Sequence, residues 1–427
     1  MSGPSGLVHE GPAYAASRVS PTPARVLILH ASVGSGHEHA ARALAEAFAR
    51  VPGCEVVMED ALAHATPVFR DAYAQTYLET VARAPALWQH YFETTDLIDP
   101  RRIASSNRSR GQVEKPLFVR LDRLVTRFDP SVIVCTHFLP AEVLVHRKPG
   151  MNPPTYTVVT DHVAHSFWQT PAIDGYFVAS EVPRDQLIAR GVPPEAIRVR
   201  GIPVALETST PKDSAELRSR RGWAADRPLV SLLGGGLRPA RVRRMVRDLL
   251  TLERPVTLVV VGGRSRELPA AIADLDEGPN VRLQVLGAID YVDDLVAASD
   301  LVITKSGGLI VSEILARGAP LVVVDPIPGQ EEWNADYVVG VGAGAQLRRP
   351  EMVADVVRRL LDHEGRLVAM RECARLAGRP RAALDIAADI VRDLERASDV
   401  GRRQSGALPA RSYTAGMQEE VRCDRAC

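Results

Sequence analysis

The chain has 427 residues, of which 46% are hydrophobic and 24% are charged. This apolar fraction is enough to fill folded cores, so a chain that is disordered throughout is excluded. Its 52 basic residues balance 52 acidic ones, which argues against a nucleic-acid binder with a basic surface throughout. At about 150 residues per domain, the length predicts two domains or three.

Both ends of the chain are rich in small and polar residues and lack hydrophobic periodicity. We therefore predict disordered tails at residues 1–22 and 399–427. There is no signal-peptide stretch, and no apolar run reaches the ~18 residues of a membrane-spanning helix. The five cysteines form no metal-ligand spacing, which favours a reducing compartment. We expect a cytoplasmic protein that associates peripherally with the cytosolic face of the cell membrane.

Between the predicted tails, the first half of the chain alternates short apolar runs with amphipathic helical patterns. A run at 26–29 is followed by a glycine-containing turn and an alanine-rich helix at 38–50. A long helical stretch at 67–128 interrupts the alternation. The other candidate strands lie at 55–58, 131–135, 155–160 and 175–179. Continuous apolar runs of this length are typical of a parallel sheet that is buried on both faces.

The alternation restarts after a polar, proline-containing stretch at 207–219, which we interpret as a linker. Candidate strands follow at 228–233, 256–261, 281–286, 301–304 and 320–324. The sequence therefore predicts an α/β protein with two Rossmann-like, doubly wound domains, at 23–205 and 206–398. Because ligands of such folds bind at the carboxyl ends of the strands, we expect a site in the cleft between the domains.

The first candidate site is the turn at 30–37, which reads His-Ala-Ser-Val-Gly-Ser-Gly-His. Its glycines allow a tight turn, and the helix that follows presents free N–H groups to a ligand. The turn lacks the third glycine of a dinucleotide fingerprint, so it gives little support for NAD binding. An ordinary strand-to-helix turn is the alternative. The distinguishing residue is His37, because an imidazole at a cleft edge is suited to proton abstraction.

The second candidate site is the segment 160–168, which reads Thr-Asp-His-Val-Ala-His-Ser-Phe-Trp. Two histidines beside an aspartate resemble part of a metal site, but no further ligand of matching geometry is evident. A strand-end loop with a packed tryptophan is a second alternative. We favour a wall for the acceptor, in which Asp161 and His165 offer polar groups to hydroxyls and Trp168 forms an apolar platform.

The third candidate site is a run of three glycines at 234–236, again between a strand and a helix. Backbone N–H groups in such a run are well placed to bind a phosphate. A tight turn alone accounts for one glycine more readily than for three. We therefore expect Gly235 and Gly236 to lie against a phosphate group.

The fourth stretch is the most informative, and it begins where a candidate strand meets a helix. Gly307 and Gly308 open that helix, whose N-terminus suits a diphosphate. Glu313 lies in its second turn, where a carboxylate can accept two hydrogen bonds from a ribose diol. A solvated helix residue is the alternative for Glu313. The loop before the next helix brings Gln330 and Glu331 to the cleft, and their polar groups suit the hydroxyls of a sugar.

In order and spacing, these four blocks resemble the diacylglycerol glycosyltransferases. This family includes the monogalactosyldiacylglycerol synthases and the bacterial processive diacylglycerol glucosyltransferases, and it is distantly related to the N-acetylglucosaminyltransferase of peptidoglycan synthesis. The resemblance covers about residues 25–394. Its most specific parts are Ala-Ser-Val-Gly-Ser-Gly-His at 31–37, Thr-Asp…His…Trp at 160–168, and Lys-Ser-Gly-Gly…Ser-Glu…Pro-Gly-Gln-Glu…Asn at 305–334.

The resemblance implies a GT-B fold, in which the carboxyl-terminal domain binds a UDP-sugar and the amino-terminal domain meets a lipid acceptor. It implies that His37 is the catalytic base, which deprotonates the hydroxyl of diacylglycerol for in-line attack on glucose or galactose with inversion. By the same resemblance, Glu313 binds the ribose, and Gln330 and Glu331 bind the donor sugar. The other residues expected on the donor side are Gly235, Gly236, Arg238, Lys305, Ser306, Gly307, Gly308 and Asn334. The family usually has glycine where this chain has Ser35, a departure that affects only the fine shape of the loop.

We expect no metal or other cofactor, with the UDP-sugar as co-substrate. The negative charge that develops on leaving UDP can be stabilised by backbone amides at two helix starts and by Arg238 or Lys305. The four blocks contain no Asp-x-Asp pair of the kind that holds a metal–diphosphate. We interpret Asp293 and Asp294 as a helix start, where acidic residues are favourable. A divalent ion remains an alternative.

A diacylglycerol acceptor lies in the bilayer, so we expect the amino-terminal domain to dock on the membrane surface. The long helical stretch mixes aromatic and basic residues, a combination that favours binding to anionic lipid. These residues are Trp88, Tyr91, Phe92, Arg101, Arg102, Arg108, Arg110, Lys115, Phe118 and Arg120. A solvated helix pair with a buried aromatic stripe is the alternative.

Three other functions are compatible with these blocks, because a fold alone does not define an activity. A soluble GT-B transferase would act on a small acceptor without lipid vesicles. A nucleotide-sugar epimerase would interconvert free UDP-sugars without any acceptor. A non-catalytic sensor of nucleotide sugars would tolerate the replacement of His37.

Overall fold

The structure is a computed structural model, and it describes residues 24–145 and 153–404. The strands in these ranges form two six-stranded sheets, and every pair of neighbouring strands is parallel. We call the part of the chain through Val199, which holds the first sheet, the amino-terminal lobe. The carboxyl-terminal lobe holds the second sheet, which begins at Leu229.

The elements of the amino-terminal lobe are, in chain order, β1 (Ala24–His30), α1 (Ser35–Ala49), β2 (Cys54–Asp60), α2 (Pro67–Arg83), α3 (Pro85–Thr95), α4 (Pro100–Glu114), α5 (Val119–Phe128), β3 (Val132–Cys135), α6 (Phe138–Leu144), β4 (Thr155–Val158), β5 (Gly175–Val178), α7 (Glu181–Ala189) and β6 (Ile197–Val199). Short 3-10 turns lie at Ala61–His64, Lys115–Phe118, Ser166–Trp168 and Pro194–Ala196.

The later elements are α8 (Ser214–Arg221), β7 (Leu229–Leu233), α9 (Pro239–Leu249), β8 (Val256–Val261), α10 (Glu267–Ile272), β9 (Val281–Leu286), α11 (Val292–Ala298), β10 (Leu301–Thr304), α12 (Gly308–Ala316), β11 (Leu321–Val324), α13 (Gln330–Gly340), β12 (Gly344–Leu347), α14 (Val353–Asp362), α15 (Glu364–Ala377) and α16 (Ala382–Gln404). Further 3-10 turns lie at Leu206–Ser209 and Pro350–Met352.

The strand order is β2-β1-β3-β4-β5-β6 in the first sheet and β12-β11-β10-β7-β8-β9 in the second. The chain reverses its direction of winding between β1 and β3 in the first sheet, and between β7 and β10 in the second. In open α/β sheets, ligands bind outside the carboxyl ends of the strands at such a switch point. The turns after β1, β3, β7 and β10 are therefore the places where this topology puts a site.

The central strands are buried on both faces. In β1, the side chains from Val26 to Leu29 are all fully buried, and β10 and β11 are buried along their whole lengths. The sequence prediction rested on continuous apolar runs such as these. The predicted two-domain α/β architecture is confirmed. Each predicted strand is present with its bounds shifted by two residues at most.

Strands β6 and β12, the outermost strands of their sheets, were not predicted from the sequence. Strand β6 reads Ile-Arg-Val and β12 reads Gly-Ala-Gln-Leu, and both are mostly half-buried. An edge strand has one neighbour and a partly solvated face, so it needs no continuous apolar run. The signal used for the central strands was therefore absent in both.

The predicted linker at 207–219 is a packed part of the structure rather than a loose connection. It contains a 3-10 turn and most of α8. The guanidinium of Arg317 donates to the carbonyl oxygens of Thr210 at 2.7 Å and Glu207 at 3.0 Å, and it pairs with Asp293. Polar side chains of the stretch also contact α11, since Thr208 and Lys212 both bind the carboxylate of Asp293; composition alone does not reveal these contacts.

The first predicted tail, residues 1–22, lies entirely outside the described residues, and the second lies mostly outside them. The second tail was predicted to begin at residue 399, whereas α16 continues to Gln404; residues 405–427 are outside the described part. Among the described residues, those through Ala387 belong to one compact unit and those from Ala388 onward to another. The predicted boundaries 23–205 and 206–398 stay predictions.

The long helical stretch predicted at 67–128 is confirmed as α2 to α5 with a short 3-10 turn. Three of the residues predicted for a membrane surface are not available for it. Phe92 and Phe118 are buried, and Arg110 donates to the buried carboxylate of Glu142. Among the described helices, none combines the length and the apolar character needed to cross a bilayer.

Candidate active site

His37 lies at the start of α1, directly beyond the carboxyl end of β1. The turn between them depends on Gly34, whose φ of 100° is a conformation that favours glycine. Ser35 is the first residue of α1. A serine is readily accommodated at a helix start, so the departure from the family pattern at this position costs nothing in the backbone.

The hydrogen bonds of His37 define its tautomer. Its Nδ1 lies 3.0 Å from the carbonyl oxygen of Thr136, which follows β3, and 2.8 Å from the hydroxyl oxygen of Thr160, which follows β4. Because a carbonyl oxygen only accepts, Nδ1 carries the proton and Nε2 carries the lone pair. Among the described residues, both partners of the ring lie on Nδ1, so Nε2 is the atom available for a substrate proton.

The surroundings of His37 keep its imidazole neutral. Burial lowers the pKa of His37 to about 4, against the opposing effect of its hydrogen bond to Thr136, and His30 lowers it further. The ring of His137 packs edge-on at 4.6 Å, and Trp168 lies 6.3 Å away. A neutral imidazole with a fixed Nδ1–H is the form that acts as a general base.

The two lobes meet at the N-termini of α1 and α12. A Cβ on Gly36 of α1 would lie 3.8 Å from Cβ of Leu309 in α12. A Cβ on Gly308 would lie 2.1 Å from the carbonyl oxygen of Thr160. Gly308, predicted to lie against a diphosphate, is therefore a buried contact between the lobes, and only glycine allows this approach of the two backbones.

Gly308→Ala is expected to destabilise the protein, because its Cβ would meet backbone atoms of Thr160 that cannot simply rotate away. We expect the free energy of unfolding to fall by about 1–3 kcal/mol. The matched control is Gly307→Ala, whose Cβ would find only Cγ2 of Ile310, at 3.7 Å. Thermal unfolding of both variants checks this expectation, and equal unfolding temperatures would contradict the close contact at Gly308.

Glu313 lies in α12 with its carboxylate half-buried. Burial raises the pKa of Glu313 to about 7, and the negative charges of Asp293 and Glu207 add to the effect. No described residue donates a hydrogen bond to this carboxylate. A half-buried acid that lacks a donor is suited to receive hydroxyl groups from a ligand.

Lys305 follows β10 and forms an ion pair with Glu331, with 3.3 Å between Nζ and Oε2. The same carboxylate accepts a hydrogen bond from the backbone N–H of Ile327 at 2.8 Å, and burial raises its pKa. A Cβ on Gly236 would lie 4.0 Å from Cδ of Lys305. The structure thus brings together the turn after β7, the turn after β10 and the start of α13.

The remaining predicted donor residues are spread around these turns. Gly235 and Gly236 are exposed, as is Arg238, which precedes α9. Gln330 is half-buried at the first position of α13. Ser306 is fully buried, and its hydroxyl donates to the carbonyl oxygen of Glu331 at 2.6 Å. Ser306 therefore supports the loop from beneath rather than facing the cleft.

Asn334 was predicted on the donor side, but it is fully buried. Its Nδ2 donates to the carbonyl oxygen of Ser306 at 3.0 Å and to Oδ1 of Asp161 at 3.3 Å. Its Oδ1 accepts from the backbone N–H of His162 at 2.8 Å. All of its hydrogen-bonding groups are thus used within the protein, which leaves none for a donor sugar.

The predicted acceptor wall has a different structure from the one expected. Trp168 is 3% exposed and donates to Asp161, so it packs beneath the site instead of forming an open platform. His165 is also buried, with Nε2 at 3.0 Å from the Phe92 carbonyl oxygen and Nδ1 accepting from the Phe167 N–H. Asp161 is half-buried, and burial raises its pKa to about 6. Of the three residues, only Asp161 is partly open.

Sequence reasoning missed Thr136 and Thr160 as partners of His37, and His162 as a contact between the lobes. Thr136 and Thr160 come just after the carboxyl ends of β3 and β4, the edge of the sheet where ligands bind in such folds. That position in the sequence is the signal that would have pointed to them. His162 gave no such signal, because its contacts, Ser312 and Tyr337, lie far along the chain. In the described ranges there is no cluster of three or more His, Cys, Asp or Glu arranged to hold a metal ion.

Two family models match the chain, one on each lobe. Residues 37–204 match monogalactosyldiacylglycerol (MGDG) synthase, and residues 238–377 match glycosyl transferases group 1. Among curated proteins, the processive diacylglycerol beta-glucosyltransferase of Bacillus cytotoxicus is 28% identical over 91% of this chain and 99% of its own. The protein of the same name from Bacillus subtilis is 26% identical over 82% of this chain and 90% of its own.

Solved structures share the fold. MurG of Acinetobacter baumannii is 20% identical, with a TM-score of 0.57 over 87% of this chain and 100% of its own. The UDP-GlcNAc 2-epimerase of Neisseria meningitidis, solved with UDP-GlcNAc, is 13% identical, with a TM-score of 0.55 over 86% of this chain and 100% of its own.

The two parallel sheets and these matches define the class: the protein is a glycosyltransferase with the GT-B fold. Within that class, the chain is similar to the diacylglycerol glycosyltransferases over most of its length. The resemblance predicted from the four blocks is confirmed.

Proposed function

We propose that the protein transfers a hexose, glucose or galactose, from a UDP-sugar to diacylglycerol or a related glycolipid, with inversion at the anomeric carbon. The observation that carries this proposal is the meeting of α1 and α12. Helix α1, which carries the proposed base His37, thereby lies against α12, the helix of the opposite lobe that carries Glu313.

The donor is proposed to bind to the carboxyl-terminal lobe. The N-termini of α1 and α12 each carry a partial positive charge, and they lie side by side. An anion such as a diphosphate is stabilised by two such helix ends together with the ammonium of Lys305. The half-buried carboxylate of Glu313 then accepts hydrogen bonds from the ribose hydroxyls, and Gln330 and Glu331 contact the sugar.

In the proposed reaction, Nε2 of His37 takes the proton of the acceptor hydroxyl as its oxygen forms a bond to the anomeric carbon. The bond from that carbon to the diphosphate oxygen breaks, and UDP leaves with the electron pair. Attack from the face opposite UDP converts an α-linked donor into a β-glycoside. The negative charge of the diphosphate raises the pKa of His37 from its low value, which makes the imidazole a stronger base once the donor is bound.

The acceptor is proposed to reach the site from a membrane surface touched by helices α2 to α5. More than half of the large apolar side chains that are exposed among the described residues lie in this region, namely Val68, Leu87, Tyr91, Ile98, Val113 and Val119. Arg101, Arg102, Arg108 and Arg120 are exposed there too. Apolar and basic side chains together favour the interface of an anionic bilayer, so peripheral association with the membrane is part of the proposal.

The test is transfer to lipid. The protein is incubated with vesicles that contain diacylglycerol and an anionic lipid, in separate reactions with UDP-glucose, UDP-galactose and UDP-N-acetylglucosamine, and the lipids are analysed. A hexosyl diacylglycerol with a β-linkage is the expected product. Interconversion of the UDP-sugars without lipid would indicate an epimerase, and transfer only to water-soluble acceptors would overturn the lipid assignment.

A further inference from the structure

The segment from Thr160 to His162 leaves the amino-terminal lobe and enters the other one. The imidazole of His162 is 3% exposed and stacks on the ring of Tyr337 in α13, with 4.3 Å between centroids. Its Nε2 lies 3.2 Å from the hydroxyl of Ser312 in α12. A side chain of the first lobe is thus buried between two helices of the second.

Asn334 holds the backbone of this segment in place. As described above, its amide group binds the N–H of His162, the carboxylate of Asp161 and the carbonyl oxygen of Ser306. Ser306 in turn binds the backbone of Glu331. One buried side chain therefore connects the segment after β4 with both loops that form the proposed donor site.

Thr160, immediately before these residues, is bound to the base. Its hydroxyl lies 2.8 Å from Nδ1 of His37, and its carbonyl oxygen abuts Gly308 at the start of α12. Three consecutive residues thus perform three connected tasks: Thr160 holds the imidazole, Asp161 binds Asn334, and His162 anchors the segment in the opposite lobe. A displacement of Asn334 would shift the base and the donor loops relative to each other.

We propose that Asn334 and His162 are positioning residues that set the distance between the catalytic base and the donor across the two lobes. We call the contacts of Asp161, His162, Ser306, Ser312 and Asn334 the inter-lobe latch. The proposal rests on the transfer reaction proposed above, in which attacking and leaving groups belong to different lobes. It also replaces the predicted direct contact of Asn334 with the donor.

The latch consists largely of neutral groups. Burial lowers the pKa of His162 to about 3, so its imidazole is uncharged at physiological pH. Neutral hydrogen bonds between buried groups give fixed geometry without the cost of burying an unpaired charge. Near-attack geometry is demanding, and a displacement of about 1 Å lowers a rate by about 100-fold. The latch is therefore expected to affect turnover more than substrate affinity.

The first variant is Asn334→Leu, which keeps the branching of the side chain and removes its three hydrogen bonds. We expect kcat for sugar transfer to fall by ~10- to 100-fold, while the Kd for UDP, measured by calorimetry, stays within about threefold because most of the proposed UDP contacts belong to the carboxyl-terminal lobe. Hydrogen exchange at the His162 N–H is expected to accelerate, because Asn334 Oδ1 is its acceptor. Unchanged kcat, or a loss of UDP affinity as large as the loss of kcat, would overturn the proposal.

The second variant is Ser312→Ala, which tests the latch if Asn334→Leu fails to fold. Its matched control is Ser231→Ala, which removes a buried hydrogen bond to Ser299, 2.6 Å long, within the carboxyl-terminal lobe. Both variants lose a buried hydroxyl, so their unfolding temperatures are expected to fall alike, but only Ser312→Ala is expected to lower kcat. Equal kcat in the two variants would show that the latch contacts contribute to packing but do not position the base, which would overturn the proposal.

The exchange measurement separates this proposal from the proposed function. If the unmodified protein transfers no sugar to lipid, the proposed function fails. The latch is then tested by hydrogen exchange at the His162 N–H alone. Faster exchange in Asn334→Leu than in the unmodified protein, with the Kd for UDP retained, supports it. Exchange as slow as in the unmodified protein overturns it.

Discussion

Replacement of His37 by alanine is expected to lower kcat for sugar transfer by ~10²–10⁴-fold while UDP still binds. The reason lies in the hydrogen bonds at Nδ1, which leave Nε2 as the site that takes the acceptor proton. Since His37 belongs to the lobe opposite Glu313 and Lys305, its loss leaves the proposed donor contacts intact. Steady-state kinetics with diacylglycerol vesicles and calorimetry with UDP measure the two quantities separately.

His39→Ala is the matched control for this variant. His39 lies on the same helix, two residues further along, and is also half-buried. We expect it to keep nearly full activity, because it has no contact with the threonines that hold His37. A near-normal rate for His37→Ala would show that another group removes the proton, and equal losses in both variants would point to damage of α1.

Replacement of Glu313 by glutamine is expected to weaken the binding of the UDP-sugar by ~10- to 100-fold. The change keeps the shape of the side chain but removes the negative charge that strengthens hydrogen bonds from the ribose hydroxyls. Glu216→Gln, an exposed carboxylate on α8, is the control and should leave affinity unchanged. Retained donor affinity in Glu313→Gln would remove this residue from the donor site.

The raised pKa of Glu313 adds a dependence on pH. With a pKa of about 7, the acid is protonated below that value and a carboxylate above it. Donor binding needs the carboxylate, so kcat/KM for the donor is expected to fall as the pH drops through about 7, since this ratio reports on the free enzyme. In Glu313→Gln this decline should vanish, which a pH series from 5.5 to about 8.5 tests.

The same shift acts in the opposite direction on stability. The native state retains a proton on Glu313 between the ordinary pKa of 4.5 and about 7, where the unfolded chain has lost it. Stability therefore falls as the pH rises through this range. Glu313→Gln removes that cost, so a variant with impaired donor binding is expected to unfold at a temperature no lower than the unmodified protein at pH 8.

The central part of the fold was predictable from the sequence because the inner strands must be apolar on both faces. The turns after β1, β7 and β10 were predictable for a related reason. Glycines between a strand and a helix usually occur where the backbone turns tightly or lies close to another group. His37 and Glu313 were identified because each stands at a fixed distance from such a turn. The sequence pattern does not distinguish a glycine that faces a ligand from one that packs against the other lobe, as Gly308 does.

The contacts between distant segments were not predictable in this way. Asn334 and Trp168 look like binding residues when only their motifs are considered, since amides and indoles serve ligands as well as interiors. Their burial follows from the way the segment after β4 meets α13, which lies more than 150 residues further along the chain. Hydrophobic periodicity and the spacing of motifs give no information about contacts between segments so far apart in the sequence.

The segment that follows β6 packs closely against the segment that follows α15. Gly201, which follows β6, has a φ of 98°, and a Cβ there would lie 2.4 Å from Cβ of Arg379, just after α15. Only glycine at position 201 leaves room for Arg379, so these two segments are shaped to each other. Chimaeras that exchange whole lobes between relatives should consequently transplant the segments around both positions as a pair.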